Sequence, residues 1–157
     1  MKIGVLGSGT VGQTLASGFL KHGHAAMIGT REPGSEALKK WLANNPKGAV
    51  GTFGQAAAFG EVLLLATVGR ATAQVIELAG KENFTGKVLI DCNNPIAEAP
   101  PVDGVLQFFT GPNQSLGEQT QAMVPQARVV KAFNSVGAPR MVDPHYEEGT
   151  PTMFIAG

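Results

Sequence analysis

Short apolar runs rich in β-branched residues recur along the chain at residues 3–6, 25–28, 49–52, 62–67, 88–92, 129–133 and 153–156. Most are apolar on both faces, which suits strands covered by helices on either side. Helical patterns separate them, and that alternation predicts a doubly wound, mainly parallel α/β sheet. The first helix is expected to open in a glycine-rich turn, to set Val11, Leu15 and Phe19 four apart on one face, and to stop at Gly23, a C-terminal cap. A later helix is expected to start after Ser115, with Glu118 three residues on completing a reciprocal capping arrangement. It carries Leu116 and Met123 inward and ends before Pro125. Between Asn93 and Pro112 the prolines Pro95, Pro100, Pro101 and Pro112 break any regular element, so a long loop is expected after the fifth strand.

Directly after the first run stands Gly7-Ser8-Gly9-Thr10-Val11-Gly12, the G-x-G-x-x-G spacing, with Ala16 four residues beyond. Between a strand and an amphipathic helix each glycine has a separate use. Gly7 permits a tight turn, Gly9 lets backbone approach a pyrophosphate, and Gly12 with Ala16 keeps helix and strand close. The phosphates would meet backbone N–H groups and the positive end of the helix dipole. This is the context of a Rossmann NAD(P)-binding fold, with a purely structural tight turn as the competing view.

The end of the second strand bears on which nucleotide. NAD-preferring domains place a carboxylate there, on the ribose 2′-hydroxyl. This chain has Gly29-Thr30-Arg31. A guanidinium offers paired donors to a 2′-phosphate and stacks on adenine, and the threonine hydroxyl adds one neutral donor, so NADP(H) is the expected cofactor. Glu32 opposes this if it faces the ribose in place of Arg31, and Arg31 has no part in it if it is a solvated loop charge.

Composition narrows the partners. Twelve basic and twelve acidic side chains balance, so no net field draws polyanions, and neither nucleic acid nor membrane is expected as a partner. The longest apolar runs, such as residues 62–66, fall far short of the roughly 20 residues that span a bilayer. The single cysteine, Cys92, cannot form an internal disulfide, and Met1 leads straight into a strand with no signal-type stretch. A cytoplasmic protein is expected.

With 157 residues, one domain over 1–157 is expected, and the apparent final strand with no closing helix suggests a missing C-terminal portion. A homo-oligomer, most simply a dimer, is expected. Cys92 reads as a core thiol, and His22, His24 and His145 are too scattered for a metal site. Asp91 either faces a ligand or organises the loop after it. Lys131, which interrupts an apolar strand, either reaches a ligand or lies at an edge. No catalytic side chain stands out.

Residues 3–12, joined to Gly23-His24 and Gly29-Thr30-Arg31, resemble the NADPH-dependent coenzyme F420 oxidoreductases, their bacterial relatives and the cytosolic domains of transmembrane ferric reductases. Asp91-Cys92-Asn93-Asn94-Pro95 and Val130-Lys131-Ala132-Phe133-Asn134-Ser135 extend the resemblance over nearly the whole chain. It implies that the backbone of residues 8–11 holds the pyrophosphate and that Thr30 with Arg31 holds the 2′-phosphate. It further implies that Thr67, ending the fourth strand, and Asn94-Pro95 flank the ribose and nicotinamide, and that residues from Asn134 to Ala138 edge the flavin side.

Asn134 stands where the archaeal deazaflavin enzymes tend to carry histidine, so the second substrate stays open between coenzyme F420, a flavin and another small-molecule acceptor. The implied activity is hydride transfer from NADPH, for which stacked rings need no protein acid or base. A non-catalytic NADP(H)-sensing module is the alternative, because fold and cofactor site do not prove turnover.

Overall fold

The computed structural model describes residues 1–147, 149 and 151–157. Strands β1 (Lys2–Leu6), β2 (Ala25–Thr30), β3 (Ala49–Thr52), β4 (Val62–Leu65), β5 (Val88–Asp91) and β6 (Arg128–Lys131) pair in parallel in the order β3-β2-β1-β4-β5-β6. Helices α1 (Thr10–Lys21), α2 (Glu36–Asn44), α3 (Phe53–Phe59), α4 (Thr72–Ala79) and α5 (Leu116–Met123) cover both faces. This is the Rossmann-like α/β architecture that the alternating pattern predicts. The strand order reverses between β1 and β4, the place where such sheets open a crevice at their carboxyl ends.

Two apolar layers sandwich the sheet, and the strands feed both because successive side chains alternate. Leu6, Leu63, Leu65 and Leu89 pack with Phe53, Ala56, Ile76 and Phe84 on one side. Ile3, Val5, Ile28 and Leu64 pack with Leu15, Leu38 and Trp41 on the other. Apolar residues on both strand faces follow directly from this double coverage.

Helix ends follow local chemistry. At the end of α1, Gly23 has φ of 81°. Its N–H donates to Leu20 O at 3.1 Å, and that of His24 donates to Phe19 O at 2.9 Å. That pair of bonds is the Schellman arrangement, and the accompanying ring contact joins Phe19 to His24 at 5.9 Å. At α5 the Ser115 hydroxyl accepts from the Glu118 amide at 3.1 Å, and Glu118 accepts from the Ser115 amide at 2.6 Å. Thr52 and Gln55 form a second such box at the start of α3.

Three strand ends and one whole strand depart from expectation. β4, β5 and β6 stop at Leu65, Asp91 and Lys131, so Thr67, Cys92 and Phe133 lie in the turns that follow. Phe133 marks that exit with φ of 62°. Residues 153–156 make no parallel strand. Ala156 alone pairs, antiparallel, with Lys131, and Phe154 and Ile155 are exposed. Among the described residues no helix packs on them. The long loop expected after β5 is present, pinched only by antiparallel bridges at Ile96–Phe108 and Val102–Val105.

The Glu118 carboxyl is held below its ordinary pKa by the bond from the Ser115 amide and then by the Ser115 side chain. A depressed carboxylate contributes stability above its unfolded pKa and loses it as pH falls through the folded value. In Glu118→Gln, whose neutral amide accepts from Ser115 more weakly than a carboxylate, the acid limb of the stability curve should flatten because stability at neutral pH falls slightly. Urea unfolding across that pH range measures this, and an unaltered acid limb contradicts it.

Candidate nucleotide site at the strand carboxyl ends

A cleft of about 420 Å³ opens over the carboxyl ends of the central strands, lined among others by residues 7–11, Thr30, Arg31, Ala66, Thr67, Val68, Cys92 and Asn93. The turn from β1 into α1 forms its floor. Gly7 has φ of 135°, and a Cβ there would lie 2.1 Å from Ala66 O. A Cβ on Gly12 would lie 2.1 Å from Gly7 O. Both positions therefore require glycine, and together they draw α1 against the strand end. A Cβ at Gly9 meets nothing within 4 Å, so that position borders open space.

The mouth of α1 suits an anion. Gly9 caps the helix without a side-chain bond, and the first turn holds no acidic residue. The amides of Thr10, Val11 and Gly12 have no carbonyl a turn earlier to bond. A diphosphate would supply the acceptors they lack, with the helix dipole adding to the attraction. The donor set and the open space at Gly9 both fit that group.

The next corner is built from β2. Thr30 is buried, and its Oγ1 shares a 3.0 Å hydrogen bond with Ser8 Oγ and accepts the Glu32 amide at 3.3 Å. Arg31 and Thr30 line the cleft, and Glu32 is not among its lining residues. Arg31 is exposed to solvent.

On the far side of β1 the wall is Thr67 and Asn93, whose side chains join the turns after β4 and β5. Asn93 Oδ1 accepts the Thr67 amide at 2.8 Å. Asp91 is fully buried below them and accepts the Asn93 amide at 2.9 Å, and Lys131 lies 3.2 Å from its other oxygen. Asp91 thus organises the loop, and Lys131 on the edge strand β6 reaches inward to it. A second cleft of about 510 Å³ lies beyond, lined by Asn94, Pro95, Leu116, Gln121, Lys131 and Asn134, among others. The Asn94 side chain donates through Nδ2 to Asn134 O at 2.8 Å across its rim.

Residues 2–95 match the profile of the family described as NADP oxidoreductase coenzyme F420-dependent. The chain belongs to that family. A candidate F420-dependent NADP-reductase of Arthrobacter sp. FB24 superposes with a TM-score of 0.84 at 38% identity, over 92% of this chain and 67% of that one. A hypothetical protein of Sinorhizobium meliloti shares the fold at TM-score 0.78 and 22% identity, over 100% of this chain and 73% of that one. The metalloreductase STEAP3 of Rattus norvegicus is 30% identical over 138 residues, 87% of this chain, and the chain spans only 25% of that relative's length. This chain is accordingly an NADP oxidoreductase-type domain.

In the fold of this chain, Gly7, Ser8, Gly9, Thr10, Val11, Thr30, Arg31 and Thr67 share the first cleft. Gly12 stands just behind it, against Gly7. Asn94, Pro95 and Asn134 fall in the second cleft. Ala138 is in neither set of lining residues. It begins the 3-10 turn Ala138–Arg140, in a segment that returns over α1, where Asp143 bonds Lys21 and His22. Sequence reasoning overlooked Phe53, Val68, Gln74 and Leu78 in the first cleft, and Asn93 in its wall. The stretch from Asp91 to Pro95 was the available signal for Asn93. Among the described residues no group of three or more potential metal ligands forms, and no helix is long and apolar enough to cross a membrane.

Cys92 borders the first cleft, yet burial, reinforced by the Asp91 carboxylate and partly opposed by Lys131, pushes its thiol up to about 12. The thiolate is the nucleophile, so Cys92 should be inert. Iodoacetamide at neutral pH is expected to leave the native protein unlabelled and to label it fully in denaturant, as read by intact mass. Rapid native labelling would contradict the assignment.

Proposed function

We propose that this domain binds NADP(H) in the first cleft and transfers hydride between it and a flavin-like or deazaflavin acceptor seated in the second. The observation that carries the proposal is the uncapped, acid-free mouth of α1 beside Thr30 and Arg31. It offers amides for the diphosphate and a cation for a third phosphate. The bound cofactor supplies the hydride chemistry itself.

The chain's own residues bind and orient. The amides of residues 10–12 would hold the diphosphate, with Ser8 and Thr30 locked to each other at 3.0 Å and keeping the 2′-phosphate corner beside that turn. Thr67 would border the nicotinamide ribose, and Asn94 with Pro95 would separate the donor ring from the acceptor. The second cleft supports an acceptor of planar, heteroaromatic kind. Leu116 and Val129 offer apolar walls, and Asn94 and Asn134 place polar side chains at the rim. No side chain is assigned as acid or base, because ring-to-ring hydride transfer requires proximity and alignment rather than proton transfer from the protein.

Replacing Arg31 by alanine should weaken NADPH by about 1–3 kcal/mol, the worth of a charged hydrogen bond, and leave NADH nearly unchanged. Titration calorimetry with both nucleotides measures this, and equal losses would remove Arg31 from the site. An acceptor screen over flavins, coenzyme F420 and ferric chelates, following NADPH absorbance, tests the transfer itself. NADPH bound without oxidation by any acceptor would contradict it.

The open space at Gly9 gives a second test. Gly9→Val should fold with a melting temperature near that of the parent, since its Cβ meets no atom, while its branched side chain fills the diphosphate cradle. NADPH affinity should fall by roughly tenfold or more. Undiminished affinity would locate the diphosphate elsewhere.

A further inference from the structure

We infer that Asn93 is a positioning residue that aligns the nicotinamide half of the cofactor and leaves the adenosine half untouched, a role that rests on the NADP(H) proposal above. Its side chain is 1% exposed, and both polar ends are engaged. Oδ1 accepts the Thr67 amide at 2.8 Å, while Nδ2 donates to Thr67 Oγ1 at 3.2 Å and to Thr72 Oγ1 at 2.9 Å. The turn after β4 and the start of α4 are thereby fixed to the turn after β5.

The main chain of Asn93 is held just as firmly. Its amide donates to Asp91 Oδ1 at 2.9 Å, and its carbonyl accepts from Lys131 Nζ. The second Asp91 oxygen is closed off by Lys131 at 3.2 Å and Thr120 at 3.3 Å. Lys131 in turn borders the second cleft, so one polar network runs under the partition between the clefts.

The other end of the first cleft is anchored separately. Thr30 bonds Ser8 and the Glu32 amide and shares no hydrogen bond with this network. Sheet order places β2 on one side of the β1–β4 pair and β5 on the other. With the diphosphate over the β1 turn and the 2′-phosphate at the end of β2, the half of the cofactor that continues toward β4 and β5 is the nicotinamide half. A fault at Asn93 should therefore be felt by that half alone.

The test compares NADPH with adenosine 2′,5′-bisphosphate, which carries the 2′-phosphate corner and no nicotinamide. Asn93→Leu keeps the branched shape, though not the volume, and removes all three side-chain bonds. Its Kd for NADPH should rise roughly tenfold or more, while its Kd for the bisphosphate stays within about twofold of the parent value. Thr72→Val is the companion variant. Thr72 is buried and is not among the cleft-lining residues, so a smaller selective loss of NADPH there cannot come from a lost ligand contact.

Should Asn93→Leu fail to fold by circular dichroism, the ratio of the two affinities in Thr72→Val decides the matter. Equal losses for both ligands, or no loss of NADPH, overturn the role of Asn93. If the parent protein binds neither ligand, it is the NADP(H) proposal that fails instead.

Discussion

The contact on which the rest depends is the meeting of β1, α1 and the chain after β4 at two glycines. A single added carbon at Gly7 or Gly12 would sit 2.1 Å from a carbonyl oxygen, far inside contact distance. Because neither carries one, α1 begins against the strand end, with its unbonded amides turned to the crevice where the strand order reverses. The cleft, its polarity and its position at the switch point are consequences of that approach. The core layers can be assembled from many apolar residues, but this junction accepts only the absence of a side chain.

Two rigid corners then flank the junction, each built in its own way. On the β2 side the device is small: two hydroxyls and one amide around a buried threonine. On the β5 side it is larger and carries charge, since Asp91 has no exposure at all and must be compensated where it stands. Lys131 supplies the opposite charge from the edge strand, and Thr120 a hydroxyl from α5. Loop conformation at the site is thus decided largely by groups that are bonded to one another beneath it.

What was legible in the sequence is what local chemistry determines. Ser115 and Glu118 are three residues apart and find each other without knowledge of the fold, and Gly23 ends α1 for reasons contained in its own backbone. The glycine turn is equally local. The Asp91 to Lys131 pair and the Asn94 to Asn134 bond each span 40 residues, so they exist only once β5 and β6 are neighbours. Asp91 and Lys131 stood out as charges within apolar strands, yet each admitted two roles until the other was seen beside it. Residues 153–156 show the reverse failure: their composition resembles a strand, and pairing depends on a covering layer that composition does not reveal.

The single bridge at Ala156 matters for the molecule's behaviour toward its own copies. The open border of a sheet is a template for adding foreign strands, and natural proteins blunt it with short strands and lysine. Here both borders, β3 and β6, are four residues long. On β6 the amide and carbonyl of Lys131 are already taken by Ala156 at 2.6 and 3.1 Å, and the Val129 amide donates to Gln121 Oε1 at 3.1 Å. A foreign strand pairing at this position would have to displace Ala156 from Lys131 first.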